Sequence, residues 1–437
     1  MASYATSMIQ QIMQTRVVEI TKQKFEGRVE YALQYSPDDP LTYLGDPGAE
    51  SRREVLVVVR SPNFWTRLLS GADLGFSESY MLQEIDCEVE QLYKLSKILL
   101  KHRGGIRRSW FYQLASGLAQ TFTRTNDVEQ AQINASAHYD TSNNLFANFL
   151  SPDMNYSCAQ WSANLNESLE KAQNRKVQNL LRKAKISASH HILDIGCGWG
   201  DLAIQAAQTT NCRVTGITLS KEQKSWADDR IKAAGLQDRV DILYCDYRNV
   251  PAPPSGTYDR IISVGMFEHV GREYLAEYFA TISRLLHPKH GILVLDGITA
   301  ITKFHNIQTR TDLFILKYIF PGGYLPTVSI LLNHIYEGSA GSLEVTSAES
   351  SGSHYGKTCA VWRENFLSNW DTIKAHYQKE NPQSTDFEIE AFRRKWLYYF
   401  ICAEISFVSR VVNNFTITAA RTPGSDLSYE TLPYVLS

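Results

Sequence analysis

The sequence predicts an α/β fold, a mostly parallel Rossmann-like sheet with helices on both faces. Three observations point there. Short apolar runs alternate with stretches of helical spacing between residues 191 and 295. One run, His191-Ile-Leu-Asp-Ile195, passes directly into Gly196-Cys-Gly-Trp-Gly200 and then into a helical stretch at 201–208. The runs end at Gly196, Thr218, Asp246, Gly265 and Asp296, which such a sheet gathers in one crevice beyond its C-terminal strand ends.

Taken in order, the first strand spans 192–195, and its acid, Asp194, sits just before the turn. Gly196, Gly198 and Gly200 keep that turn tight and free of Cβ atoms, so a ligand can approach the backbone at a helix N-terminus. The second strand is 213–218, with a helix from Ser220, and the third is 240–245, with Asp246 and Tyr247 at its end. A Pro-rich loop at 251–255 leads to a fourth strand at 258–264, and a fifth lies at 291–295. Residues 300–340, with Pro321-Gly-Gly-Tyr-Leu-Pro326, interrupt the alternation as a cap. Closing strands at 343–346 and 415–420 enclose helical 358–370 and 392–412. Upstream, residues 1–50 begin with an amphipathic helix (Ile9, Ile12, Met13, Val17) and end in a Pro/Asp/Gly-rich loop. Packing suits that helix better than a membrane surface, because it is not basic. A strand at 56–60 and helices at 64–69 and 89–100 complete a small, mainly helical domain. The expected division is therefore 1–125 and 126–437.

A chain of 437 residues accommodates both domains. Its formal charge of −2 offers no basic footprint for nucleic acid. The seven cysteines stand singly from Cys87 to Cys402, with neither metal-ligand spacing nor a disulfide framework, as in a reducing, cytoplasmic setting. No run approaches the ~18 apolar residues of a membrane span, and no signal peptide is apparent. Any membrane contact is expected to be peripheral.

The order Asp-x-Gly-x-Gly-x-Gly resembles the first motif of class I S-adenosylmethionine (SAM) methyltransferases, whose sheet has seven strands. Tyr156-Ser-Cys158, Asp194 to Gly200, Gly216-Ile-Thr-Leu-Ser-Lys-Glu-Gln223 and Met266-Phe-Glu-His-Val-Gly271 together resemble the cyclopropane-fatty-acid synthases, which include the mycolic acid cyclopropane synthases. Sphingolipid C9-methyltransferases and coclaurine-type N-methyltransferases are related branches. Lys317 to Pro326 resembles the family's cap, and Arg60 to Met81 the accessory domain of the bacterial phospholipid enzymes. The resemblance implies SAM contacts from Tyr156 and Ser157, with Gly196 and Gly198 at its amino-acid end. Thr218, Leu219 and Gln223 would follow its ribose or methionine, and Tyr247 its adenine; Asp194 and Asp246 join the cofactor-binding set. It also implies active-site positions for Glu268 and Cys158, while His269 beside Glu268 is read either as a structural hydrogen-bonding histidine or as a direct participant. Alkyl transfer from a sulfonium requires no thiolate, so Cys158 is expected to line the site.

In the cyclopropane synthases, bicarbonate is thought to act as base. It is held by this glutamate, a histidine after the fifth strand, a backbone group two residues on and a tyrosine in the closing region. Here Asp296 stands for the histidine and Arg363 for the tyrosine, while Ile298 fits. One expectation is that Asp296 replaces bicarbonate, with Arg363 paired to it and keeping its pKa low. Another is that the deprotonating groups are lost and an amine or activated carbon is methylated; a third is a structural Asp296–Arg363 ion pair. The leading expectation is a SAM-dependent C-methyltransferase acting on the alkene of a lipid or polyene acceptor, by methylation or cyclopropanation. The alternative is N- or C-methylation of a small secondary metabolite. His138, Tyr139, His354 and Tyr355 are expected near the acceptor, no metal is implied, and a homodimer is left open.

Overall fold

The computed structural model describes residues 2–25, 28–44, 53–71, 73–102, 142–163, 166–305 and 314–422. His138, Tyr139 and the expected boundary near residue 125 lie outside them. The chain forms two compact units. The first comprises Met1–Arg124, Arg310–Pro321 and Trp362–Ser409, and the second Thr125–Thr309, Gly322–Val361 and Arg410–Ser437. The accessory unit is thus discontinuous, where chain order suggests one cut.

In the first unit β1 (Val29–Leu33) runs parallel to β3 (Val55–Val59), with β2 (Thr42–Tyr43) and β4 (Ile85–Asp86) antiparallel at the edges. The residues of β1 lie in a stretch whose sequence predicts helix and loop. Its polar Glu30 is buried and paired with Arg53 at 2.9 Å. Helix Asp386–Val408 opens with a capping box from Thr385 and Glu388. It packs Tyr398 against Phe76, Tyr80 and Phe314, which anchors this late helix to the N-terminal segment.

The second unit holds β5 (His191–Ile195), β6 (Arg213–Thr218), β7 (Val240–Tyr244), β8 (Arg260–Val264), β9 (Ile292–Ala300), β10 (Leu343–Ser350) and β11 (Val412–Arg421). Among the described residues they form one seven-stranded sheet in the order β10-β11-β9-β8-β5-β6-β7, with only β11 antiparallel to its neighbours. This is the expected fold class. Alternate residues point to opposite faces. Leu193, Ile195, Ile261, Leu293 and Leu295 pack with Tyr278, Phe279, Leu331 and Ile335, while Ile192, Val214, Ile262 and Val294 pack with Leu180 and Leu202.

Winding runs outward from β5 through β6 to β7, then returns to β8 on the other side, so the switch point lies between β5 and β8. β9 extends past the expected strand, and Asp296 lies inside it, level with Val264 at the end of β8. The expected cap divides. Residues 310–321 belong to the first unit, and helix Val328–Gly338 is a covering layer whose Leu331 and Ile335 are fully buried. None of the described helices is long and apolar enough to cross a membrane.

Candidate active site

The three glycines after β5 all adopt left-handed backbone, at φ 79°, 54° and 84°, yet they answer different needs. A Cβ on Gly200 would stand 2.9 Å from that of Ala227, so Gly200 lets helix Lys221–Ala233 approach. Around Gly198 the corresponding space is open, which leaves backbone accessible. A Cβ on Gly196 would meet Met266 at 3.5 Å, which puts the segment after β8 directly beside the turn. Asp194 is buried, its Oδ2 has no hydrogen-bond partner, and desolvation pushes its carboxyl up to about 7, opposed by the charge of Lys176.

Thr218 donates to Gln223 Oε1 (2.7 Å) and accepts from the Ser220 amide (3.1 Å), fixing the entrance to the helix that Ser220 caps. Leu219 between them is partly exposed. Asp246 is held locally: it caps the turn Tyr247–Asn249 and binds the Arg248 guanidinium at 2.8 and 3.2 Å. The Tyr247 ring is buried edge-on against Tyr278, centroids 5.0 Å apart.

The strap at 153–158 is tied to this turn. Arg230 donates to the carbonyls of Asp153 and Trp199 and to Asp201 Oδ1. Tyr156 lies edge-on to Phe146 and Phe149 (5.2 and 5.9 Å), and Phe146 also contacts the Trp199 ring. Asn155 and Ser157 accept from the buried Lys176 ammonium at 2.8 and 3.0 Å. The Cys158 thiol is buried, within reach of the Ala159 and Ser351 carbonyls (3.5 and 3.6 Å). Burial, with Asp296 adding to it, raises its pKa well above that of a free thiol, so it lines the site as a neutral group.

Glu268 lies in the short turn Phe267–His269 and is buried. Its Oε1 accepts from the Ile298 amide at 2.6 Å, and its Oε2 has no partner. Desolvation pushes this carboxyl up to about 8, and the Ile298 hydrogen bond works against that rise. Tyr324 donates its amide to the Glu268 carbonyl (2.8 Å), and its hydroxyl meets His305 Nε2 (2.8 Å). The partly buried His269 ring is held neutral by desolvation, with its pKa near about 4.

Two expectations are corrected. Asp296 does not pair with Arg363: its oxygens accept from Asn414 Nδ2 (3.1 Å) and Thr416 Oγ1 (2.6 Å), and Arg363 binds Glu404 at 3.0 Å. Burial raises the pKa of Asp296, outweighing the hydrogen bonds from Thr416 and Asn414 and the charge of Lys176, which lower it. The Ile298 amide, at the position that fits the family's backbone group, donates to Glu268. His354 accepts from the Trp161 amide (3.0 Å), and so braces the chain after the strap.

Several residues escaped the sequence. Gly297 is one: a Cβ there would lie 2.6 Å from the Phe267 ring and 2.8 Å from Glu268 Oε1. Ser351, Asn414 and Thr416 join Asp296 and Cys158 through contacts that no local pattern encodes. Lys176 did leave a signal, because it falls on the buried helical stripe 169, 172, 173, 176, 177 and 180.

A family model described as mycolic acid cyclopropane synthetase matches residues 126–416. The chain belongs to this family. Like its relatives it is a SAM-dependent methyltransferase. It is 33% identical over 404 residues to the tuberculostearic acid methyltransferase UfaA1 of Mycobacterium tuberculosis, covering 89% of this chain and 87% of that protein. The cyclopropane-fatty-acyl-phospholipid synthase of Escherichia coli K12 is 33% identical over 366 residues, covering 83% and 87%. The solved structure of the cyclopropane synthase MmaA2 from M. tuberculosis superposes with a TM-score of 0.58 at 28% identity, over 66% of this chain and 98% of that one. The residues of this mycolic acid cyclopropane synthetase family member fit SAM on physical grounds. Open space at Gly198 admits the ligand to the backbone, and the unpartnered Asp194 oxygen matches the ammonium of its amino-acid end.

Proposed function

We propose that this enzyme methylates an alkene carbon of an unsaturated fatty acyl chain and that Glu268 itself takes the proton released. The observation that carries the reading is the contrast between two buried carboxylates. Glu268 keeps an unpartnered oxygen, whereas both oxygens of Asp296 are bonded. Bound SAM supplies an electrophilic methyl group. The glycine turn and the strap hold and orient the donor, which is the main demand of a direct transfer. Methylation of an alkene leaves a cation on the acceptor that must be kept from water and then deprotonated. A carboxylate with a pKa near about 8 suits that proton transfer. Met266, two residues before Glu268, sits against Gly196, which supports a base close to the donor.

Occupation of the Ile298 amide by Glu268, and the other partners of Asp296 and Arg363, support a reaction without bicarbonate. The names of the two relatives that cover most of the chain support a fatty acyl acceptor. On this reading a cytoplasmic enzyme meets its lipid at a membrane surface, held there peripherally.

Incubation with isotope-labelled SAM and vesicles of monounsaturated phospholipid tests the proposal. The expected product is an acyl chain one CH2 heavier, and proton NMR then separates a cyclopropane from a methyl-branched or methylidene chain. Label recovered only in amines would overturn it.

A further inference from the structure

Lys176 is nearly inaccessible, at 2% exposure, in the middle of helix Leu169–Lys183. Its ammonium donates to Asn155 Oδ1 (2.8 Å) and Ser157 Oγ (3.0 Å), both neutral acceptors. Among the described residues no carboxylate forms an ion pair with it. Burying an ammonium in this way is costly, and a methionine would fill the same space without the charge.

Four acids act on its charge at longer range. They are Asp194 on β5, Asp296 on β9, Asp201 at the helix after the glycine turn and Asp153 on the strap, with the Cys158 thiol beside them. One helical turn away, Gln173 donates to the carbonyls of Asn155 and Ser157 (3.2 and 2.9 Å). Asn155 in turn donates to Asp201 Oδ2 (2.8 Å). One helix face therefore holds the strap at four points.

The consequence is chemical as well as structural. A hydroxyl has one proton and two lone pairs. When Ser157 Oγ accepts from the ammonium, its own proton is left to donate elsewhere, with a positive charge behind it. A hydroxyl polarised in this way suits an anionic group.

We propose that Lys176 is a positioning residue that fixes the Ser157 hydroxyl as a hydrogen-bond donor for the carboxylate of SAM. The assignment rests on the reading of Ser157 as a SAM contact. It separates Lys176 from a purely structural role, which would be indifferent to the charge on the ligand.

Calorimetry on the full chain tests this with two probes, S-adenosylhomocysteine and its analogue lacking the carboxylate. Losing a hydrogen bond to a charged group predicts that Lys176→Met binds S-adenosylhomocysteine about tenfold more weakly or worse. The same variant should bind the decarboxylated analogue as the wild type does. Equal losses with both probes, or no loss with either, overturn the proposal. Should Lys176→Met fail to fold, Ser157→Ala takes the same comparison and must give the same selective loss. Failure of the wild type to bind S-adenosylhomocysteine would instead defeat the reading of the pocket itself.

Discussion

Glu268 owes its raised pKa to burial, and burial also dictates how its removal should read out. As a base it must be ionised, so kcat/KM should climb with pH, about tenfold per unit below a midpoint near about 8, and then level off. Glu268→Gln should remove that ascending limb and lower kcat/KM by about 10²- to 10⁴-fold. Binding of S-adenosylhomocysteine should persist, because the amide can still accept from Ile298. Stopped assays from pH 6 to 9 check both points. Gly297→Ala tests the same carboxylate from beneath. Its methyl would press on the Phe267 ring and Glu268 Oε1, so activity should fall along with about 1–3 kcal/mol of stability, read by denaturant unfolding. The motif around Glu268 was legible in the sequence. The partners of Asp296 and Arg363 were not, because equivalent positions in a motif say nothing about which side chain each one bonds.

At the level of elements, the glycine turn offers a comparison between neighbours. Alanine at Gly200 meets Ala227 as well as the strain of φ 84°, and should cost stability. Alanine at Gly198 meets only strain and open space. It should therefore lower the melting temperature less than Gly200→Ala while weakening SAM binding more, by differential scanning and calorimetry. Strand β6 and the helix that follows it stood where the sequence put them, since both follow from local pattern. Strand β9 did not. Its last residues are paired with β11, Ala300 with Val412, and a partner more than a hundred residues away leaves no mark on the run itself. β1 was missed because its buried Glu30, neutralised by Arg53, breaks the apolar run that would announce a strand.

For the whole molecule, the mostly parallel sheet and the strand ends that define the crevice were legible, because alternating strands and helices leave few ways to wind such a sheet. The membership of the two units was not. Helix Asp386–Val408 reads as part of the catalytic domain by chain order, yet Tyr398 joins Phe76, Tyr80 and Phe314 in the accessory core. Long-range packing decides this, and periodicity cannot report it. The same limit applies to the proposed base, since Glu268 reaches the Ile298 amide only because β9 passes beside the turn after β8. Turnover of labelled SAM on monounsaturated phospholipid vesicles, in carbonate-free buffer and again with added bicarbonate, puts Glu268 to the most direct test. The account predicts equal rates for the wild type in both buffers and loss of turnover in Glu268→Gln in both. A wild-type rate that depends on bicarbonate, or a Glu268→Gln variant that turns over normally, would contradict it.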